Sequence, residues 1–244
     1  MTTPHDIDLP WRTRQDRLFA PQQVHPPLPP LTSHDVVVAG IDVGGVRKGL
    51  HAVALAGGRV IATLKHGDHG EVAAWCRRVG AVAIGVDAPC RWGTRGARAA
   101  ERALNARGVR IFPTPPYEVA LRKPFFHWML NGADLYRALA GQYALYEGGS
   151  HTGRYCFETF PHAVACALSG RLLRATDKRR DRRALLAAAG VDVTPLTNID
   201  FLDAAMCAAA AAYVHAGAGA GYGERDDGLI FLPAAPLAVT SRAD

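Results

Sequence analysis

The chain has 244 residues, of which 49% are hydrophobic and 20% charged, the composition of a globular protein with a real core. No run reaches about 18 uninterrupted apolar residues, the minimum for a membrane helix, and Met1–Pro10 carries Asp6 and Asp8 without an apolar stretch. Neither a membrane span nor a signal peptide is expected, and a cytoplasmic location is predicted.

The five cysteines are scattered and form no CxxC pair, which fits reduced thiols and neither a disulfide framework nor a zinc site. The net charge of +6 is compatible with a polyanionic partner and does not require one.

Residues 1–34 read as a disordered, Pro-rich arm, because five prolines fall between Pro21 and Pro30 and no sustained apolar period offsets the entropy of ordering. Order is expected over 35–235, with a tail at 236–244. The run from Val36 to Asp42 is predicted as a central strand, and Gly49 to Leu55 as a second. A turn at Gly57-Gly58 leads to a third strand from Arg59 to Lys65. A helix over about His69 to Val79 precedes a buried strand from Ala81 to Asp87. Arg95 to Arg107 reads as a helix ended by Gly108.

From Arg110 to Gly149 the prolines and bulky apolar residues predict a Pro-rich insertion, with one helix at about Ala133 to Glu147 as a wall or lid. A strand at Arg154 to Glu158 follows, then helices at about Pro161 to Leu168, Asp177 to Ala189 and Phe201 to His215. The order implies an α/β fold. Its mixed five-stranded sheet has three hairpin strands, then parallel strands, and is flanked by helices.

Asp42, Asp87 and Glu158 each end a predicted hydrophobic strand, and ligands collect at the carboxyl ends of strands in open α/β sheets. Carboxylates gathered there repel one another unless a cation or proton compensates. Oxygen ligands suit Mg²⁺ or Mn²⁺. Asp203 lies on the alanine surface of the last helix and is the fourth candidate ligand. Asp200, three residues earlier, is expected to act as the helix N-cap.

Candidate phosphate-binding residues are Arg91 and Arg95 after Asp87, and Lys178 in a cluster with Arg179, Arg180, Arg182 and Arg183. Cations at a helix start oppose the macrodipole, so phosphate contact competes there with a merely solvated face. Arg47 and Lys48 also follow Asp42 closely. His162 is read as a surface or capping residue rather than a ligand, and the histidines lack metal-site spacing.

Gly40-Ile41-Asp42, Val86-Asp87-Ala88-Pro89, Phe157-Glu158-Thr159-Phe160-Pro161 and Asp200-Phe201-Leu202-Asp203-Ala204 follow the motif order of the domain of unknown function 429 family. Glu101–Pro116, Lys178–Gly190 and Asp227-Gly228-Leu229-Ile230 add to a resemblance that spans residues 36–233. That family is one of predicted nucleases of the ribonuclease H-like superfamily. The last helix also resembles that of Holliday-junction resolvases, whose D-x-x-D-A pattern supplies metal ligands.

The resemblance implies a ribonuclease H-like fold and phosphodiester hydrolysis at a carboxylate site formed by Asp42, Asp87, Asp203 and Glu158 or Asp200. Two Mg²⁺ or Mn²⁺ ions about 3.5–4 Å apart would serve there, with DNA or RNA as the partner. Two alternatives stand beside it. One is an actin/hexokinase-type phosphotransferase, since Asp42-Val43-Gly44-Gly45-Val46 resembles its phosphate-binding turn although Val46 lacks the usual hydroxyl. The other is a ribonuclease H-fold protein that binds nucleic acid without cutting it.

Overall fold

A computed structural model describes residues 36–234; the Pro-rich arm and the C-terminal tail lie outside the described residues. The first three strands, β1 (Val37–Val43), β2 (Leu50–Ala56) and β3 (Arg59–His66), form an antiparallel meander. Helix α1 (His69–Arg78) crosses over to β4 (Ala83–Asp87), which pairs parallel with β1.

The chain then runs through α2 (Ala99–Ala106), α3 (Tyr117–Arg122) and α4 (His127–Leu139). Two-residue β5 (Ala144–Leu145) precedes β6 (Tyr155–Glu158), α5 (Pro161–Ser169), α6 (Lys178–Ala188) and α7 (Ile199–His215). The hairpin of β7 (Gly219–Glu224) and β8 (Gly228–Pro233) completes the described chain. The sheet order is β3-β2-β1-β4-β6-β8-β7, with β5 paired to β6. Three hairpin strands followed by parallel ones give the mixed α/β arrangement expected.

All five expected strands are present, and β5, β7 and β8 enlarge the sheet to eight. The β7 sequence Gly-Ala-Gly-Tyr-Gly-Glu has little strand propensity of its own. It forms a strand because β8, whose Gly-Leu-Ile-Phe-Leu-Pro run is largely buried, lies alongside it. The insertion helix runs over His127–Leu139 rather than 133–147. Its buried Met129, Gly132, Leu135 and Leu139 mark one helical face, and Gly132 has room for no Cβ, which would lie 2.4 Å from that of Ala88.

Alternation along the strands sorts the core into two layers. Val38, Ala83 and Phe157 share one layer with α5 to α7, whereas Ala39, Ile41, Ile84, Val86 and Cys156 share the other with α1 and α4. In the first layer α7 presses directly onto the sheet backbone. A Cβ on Gly40 would lie 2.1 Å from the Ala204 carbonyl oxygen, and one on Gly85 would lie 2.4 Å from that of Cys207. Gly40 and Gly85 are register partners on adjacent strands, so together they form a seat only glycine provides. The small residues Ala204, Ala205, Ala208 and Ala209 complete the seam.

Candidate functional site

Two residues beyond each seat glycine, on the same face of the sheet, stand Asp42 and Asp87, themselves register partners across the parallel β1–β4 pair. The helix that fits over the glycines brings Asp200 and Asp203 from its first turns toward these strand ends. Spacing of three residues puts both on one side of α7. One dipeptide offset, glycine then aspartate, is therefore what places the cluster.

Two cations serve the four carboxylates. Lys48, from the β1–β2 turn, places Nζ 2.8 Å from Asp42 Oδ2 and 2.8 Å from Asp200 Oδ1. Gly44 makes this possible, since a Cβ there would lie 2.5 Å from the Lys48 stem. Arg182 of α6 meets Asp203 through Nε. His51, the register partner of Asp42 on β2, lies with Nε2 3.8 Å from Asp200 Oδ2 and is 1% exposed. Asp42, His51 and Asp200 each offer a ligand atom, all within 4.8 Å of one another. Asp42 Oδ2, Asp203 Oδ1 and His51 Nδ1 are buried and receive no aligned hydrogen bond among the described residues.

The electrostatics follow from crowding. Burial, with the charges of Asp42 and Asp203 added, pushes the Asp87 carboxyl well above the usual carboxylate range. Burial raises Asp203 to about 6 against the opposing pull of Arg182, and it raises Asp42 despite Lys48. For Lys48, burial works against the charge but is outweighed by Asp42 and Asp200, so the ammonium is held. Burial pushes the His51 imidazole below its ordinary range, Asp200 and Asp42 notwithstanding. Four carboxylates against Lys48 and Arg182 leave two negative charges, which protons or one divalent cation can balance.

Glu158 has different partners from those the sequence suggested. It is in register with Val86 rather than Asp87, and so lies in the alternation of the opposite face. There Arg98 clasps it in a bidentate pair, Nη2 to Oε1 at 2.5 Å and Nη1 to Oε2 at 2.9 Å, and the Cys90 N–H donates to Oε2. Arg98 also donates through Nε to Glu101, which is fully buried and accepts from the Arg98 N–H and from the Thr114 N–H and hydroxyl. This is a closed network of buried charges beside the aspartate cluster.

The expected N-cap role of Asp200 is corrected. Asn198 caps α7 by accepting from the Phe201 N–H, and Asp200 lies inside the first turn, freed to face Lys48. Much of the basic cluster on α6 is also used internally. Arg179 donates to the Thr197 carbonyl, Arg183 to those of Val193 and Leu196, and Arg182 is buried against Asp203. These arginines hold the loop that leads into α7.

Of the candidate phosphate contacts, Lys178 is exposed and exerts its charge on Asp203. Arg95 is exposed, and Arg91 pairs with Glu147 at 3.0 Å. His162 approaches Cys166 Sγ at 4.0 Å, within α5. His51 is not among the residues that the sequence marks out, and Lys48 stands there behind Arg91 and Arg95. Both owe their position to the β1–β2 pairing, which spacing alone does not reveal.

No helix among the described residues is long and apolar enough to cross a membrane. The solved structure of RuvC from T. thermophilus in complex with a Holliday junction substrate is similar to the chain at 20% identity and a TM-score of 0.39, covering 75% of this chain and 96% of that one. No curated protein matches the chain. The family described as "Protein of unknown function (DUF429)" matches residues 40–227, and the chain belongs to that family.

Proposed function

We propose that the aspartate cluster holds a divalent cation, Mg²⁺ or Mn²⁺, and that the protein hydrolyses phosphodiester bonds in nucleic acid. The observation that carries this reading is the in-register pair Asp42 and Asp87 beneath Asp200 and Asp203, with two negative charges left uncompensated. The donor set fits a hard cation. It consists mainly of carboxylate oxygens, two of which face Lys48 and Arg182, with the His51 imidazole beside Asp42 and Asp200, and carboxylate oxygens suit Mg²⁺ and Mn²⁺.

Asp42, Asp87 and Asp203 would hold the ion, with Asp200 as the further acid. Glu158, already saturated by Arg98, contributes to the frame of the site. A bound divalent ion supplies an acidified water and stabilises charge on the phosphoryl oxygens. Lys48 already provides one positive charge between Asp42 and Asp200, so one divalent ion brings the cluster to neutrality. A second ion would compete with Lys48 for Asp42 and Asp200. Lys48 and the exposed Lys178 favour approach of a phosphate to an otherwise acidic site, and the net charge of +6 favours a polyanion overall.

The test joins calorimetric titration with Mn²⁺ to a cleavage panel of linear DNA, RNA and branched DNA. Wild type is expected to bind the ion and cut at least one substrate, and Asp42→Asn to lose both. Metal binding without cleavage of any substrate would sink the nuclease reading while leaving the metal centre standing.

A further inference from the structure

Beside the aspartate cluster lies a cavity of about 370 Å³ that shares Lys48 and Asp87 with it as one wall. The apolar lining comes largely from the insertion and from the start of α5: Ile111, Phe112, Trp128, Met129 and Phe160. The polar floor is the Arg98, Glu101, Glu158 and Thr114 network. Its charged groups already satisfy one another, so a strongly charged guest would gain little there and would have to break buried pairs.

We infer that this cavity receives the base of one unpaired nucleotide, so that the protein acts on nucleic acid with an unstacked residue next to the phosphate at the cluster. The inference rests on the proposed phosphodiester chemistry and names its substrate class. Four observations support it. Apolar and aromatic walls with few free polar groups suit a flat heterocycle, which enzymes acting on extruded bases hold between such side chains.

The volume falls at the small end of ligand pockets, roughly 300–1,000 Å³, enough for a base with its sugar. The common wall also fixes where the rest of the nucleotide goes. With a base among Phe112, Trp128 and Met129, its phosphate lies toward Lys48 and Asp87.

The mouth of the cavity adds a surface of the same kind. Phe112 is 68% exposed and Phe125 60% exposed, and their rings meet edge to face with centroids 5.6 Å apart. Phe125 continues the row to Phe126 at 5.0 Å. Exposed rings in a group mark an interaction site, and unpaired bases stack on such rings whatever their sequence.

The probe is a DNA duplex carrying one extrahelical 2-aminopurine, compared with the fully paired duplex, in calcium and with integrity checked on gels. The bulged duplex is expected to bind about tenfold more tightly, within the range of one base stacked on aromatic side chains, and its 2-aminopurine emission to change on binding. Phe112→Ala, a change at an exposed residue, is expected to reduce the preference to about twofold or less and to leave calorimetric Mn²⁺ affinity intact.

Equal binding of both duplexes with unchanged emission overturns the inference, and the phosphodiester reading survives if the paired duplex is still cut in Mn²⁺. Failure to bind or cut any nucleic acid overturns both. Quenching of tryptophan emission by an apolar dye, with no response to the bulged duplex, assigns the cavity to a hydrophobic ligand and likewise overturns the inference.

Discussion

Asp42 and Asp87 face one another across a parallel strand pair, each two residues past a glycine on which the same helix rests. The contact that seats α7 thereby gathers four carboxylates around strand ends that could not tolerate them unaided. The cluster is costly to the fold, and that cost makes its role measurable in stability as well as in activity.

Asp87→Asn is expected to stabilise the metal-free protein at neutral pH. Burial and the charges of Asp42 and Asp203 disfavour the Asp87 carboxylate, and the amide removes one charge at nearly constant shape. A rise in Tm of about 3–6 °C is expected, following roughly 1–2 kcal/mol in a domain of this size. The stabilisation that Mn²⁺ gives wild type should disappear in the variant. A lower Tm without metal would show that the carboxylate contributes net stability and would refute the crowding account.

The pH dependence has a definite sign. A carboxyl raised by folding binds its proton more tightly in the native state, so its stabilising contribution is present at low pH and lost as pH rises through the folded value. For Asp203, raised from 3.8 to about 6, the loss falls between about pH 4 and pH 7 and is on the order of 2–3 kcal/mol. Thermal unfolding in a chelator should therefore show Tm falling across that window. Added Mg²⁺ or Mn²⁺ should raise Tm most at the alkaline end, where the carboxylates are free to bind it.

Lys48→Met should raise the affinity for Mn²⁺ while weakening the metal-free fold. It removes the ammonium that lies 2.8 Å from both Asp42 and Asp200, leaving three uncompensated charges where there were two. An increase in affinity on the order of tenfold corresponds to about 1.4 kcal/mol. Calorimetry would also show whether a second ion enters. Unchanged affinity and stoichiometry would mean that Lys48 neither competes with nor substitutes for a cation.

Glu158→Gln separates frame from ligand. The substitution leaves Arg98 buried with Glu101 alone as its carboxylate partner, and breaking a buried pair on one side costs about 3–5 kcal/mol. Chemical denaturation should register that loss, whereas Mn²⁺ affinity of the folded fraction should stay within about twofold, under 0.5 kcal/mol. Loss of metal affinity at unchanged stability would restore Glu158 as a ligand.

Gly40→Ala tests the seat itself. A Cβ 2.1 Å from both the Ala204 carbonyl oxygen and the Ala208 nitrogen meets backbone, which cannot rotate aside. A loss of about 3 kcal/mol or more is expected, at the severe end of overpacking. Since α7 must lift, metal affinity should fall with stability, although Gly40 itself carries no ligand atom.

The amino-acid sequence by itself determined the first four strands, β6 and the helices with a clear period, whereas β5, β7, β8 and the place of the insertion helices were not legible. The β-branched run ending at Asp42, the run ending at Asp87 and the alanine-rich stretch around Asp203 were all legible, as was their convergence at strand ends. The glycines two residues before Asp42 and Asp87 were visible as letters; that they form one seat was not. Only the tertiary structure decided which charges meet. Register put Glu158 opposite Val86 rather than Asp87, where Arg98 clasps it, a one-residue difference that no motif encodes. The β1–β2 pairing brought His51 beside Asp42, and the turn folded Lys48 back over Gly44. Local propensity fixes where an acid stands along its strand. Its partners are set by long-range packing, because ion pairs form between groups that only the folded chain brings within a few ångströms.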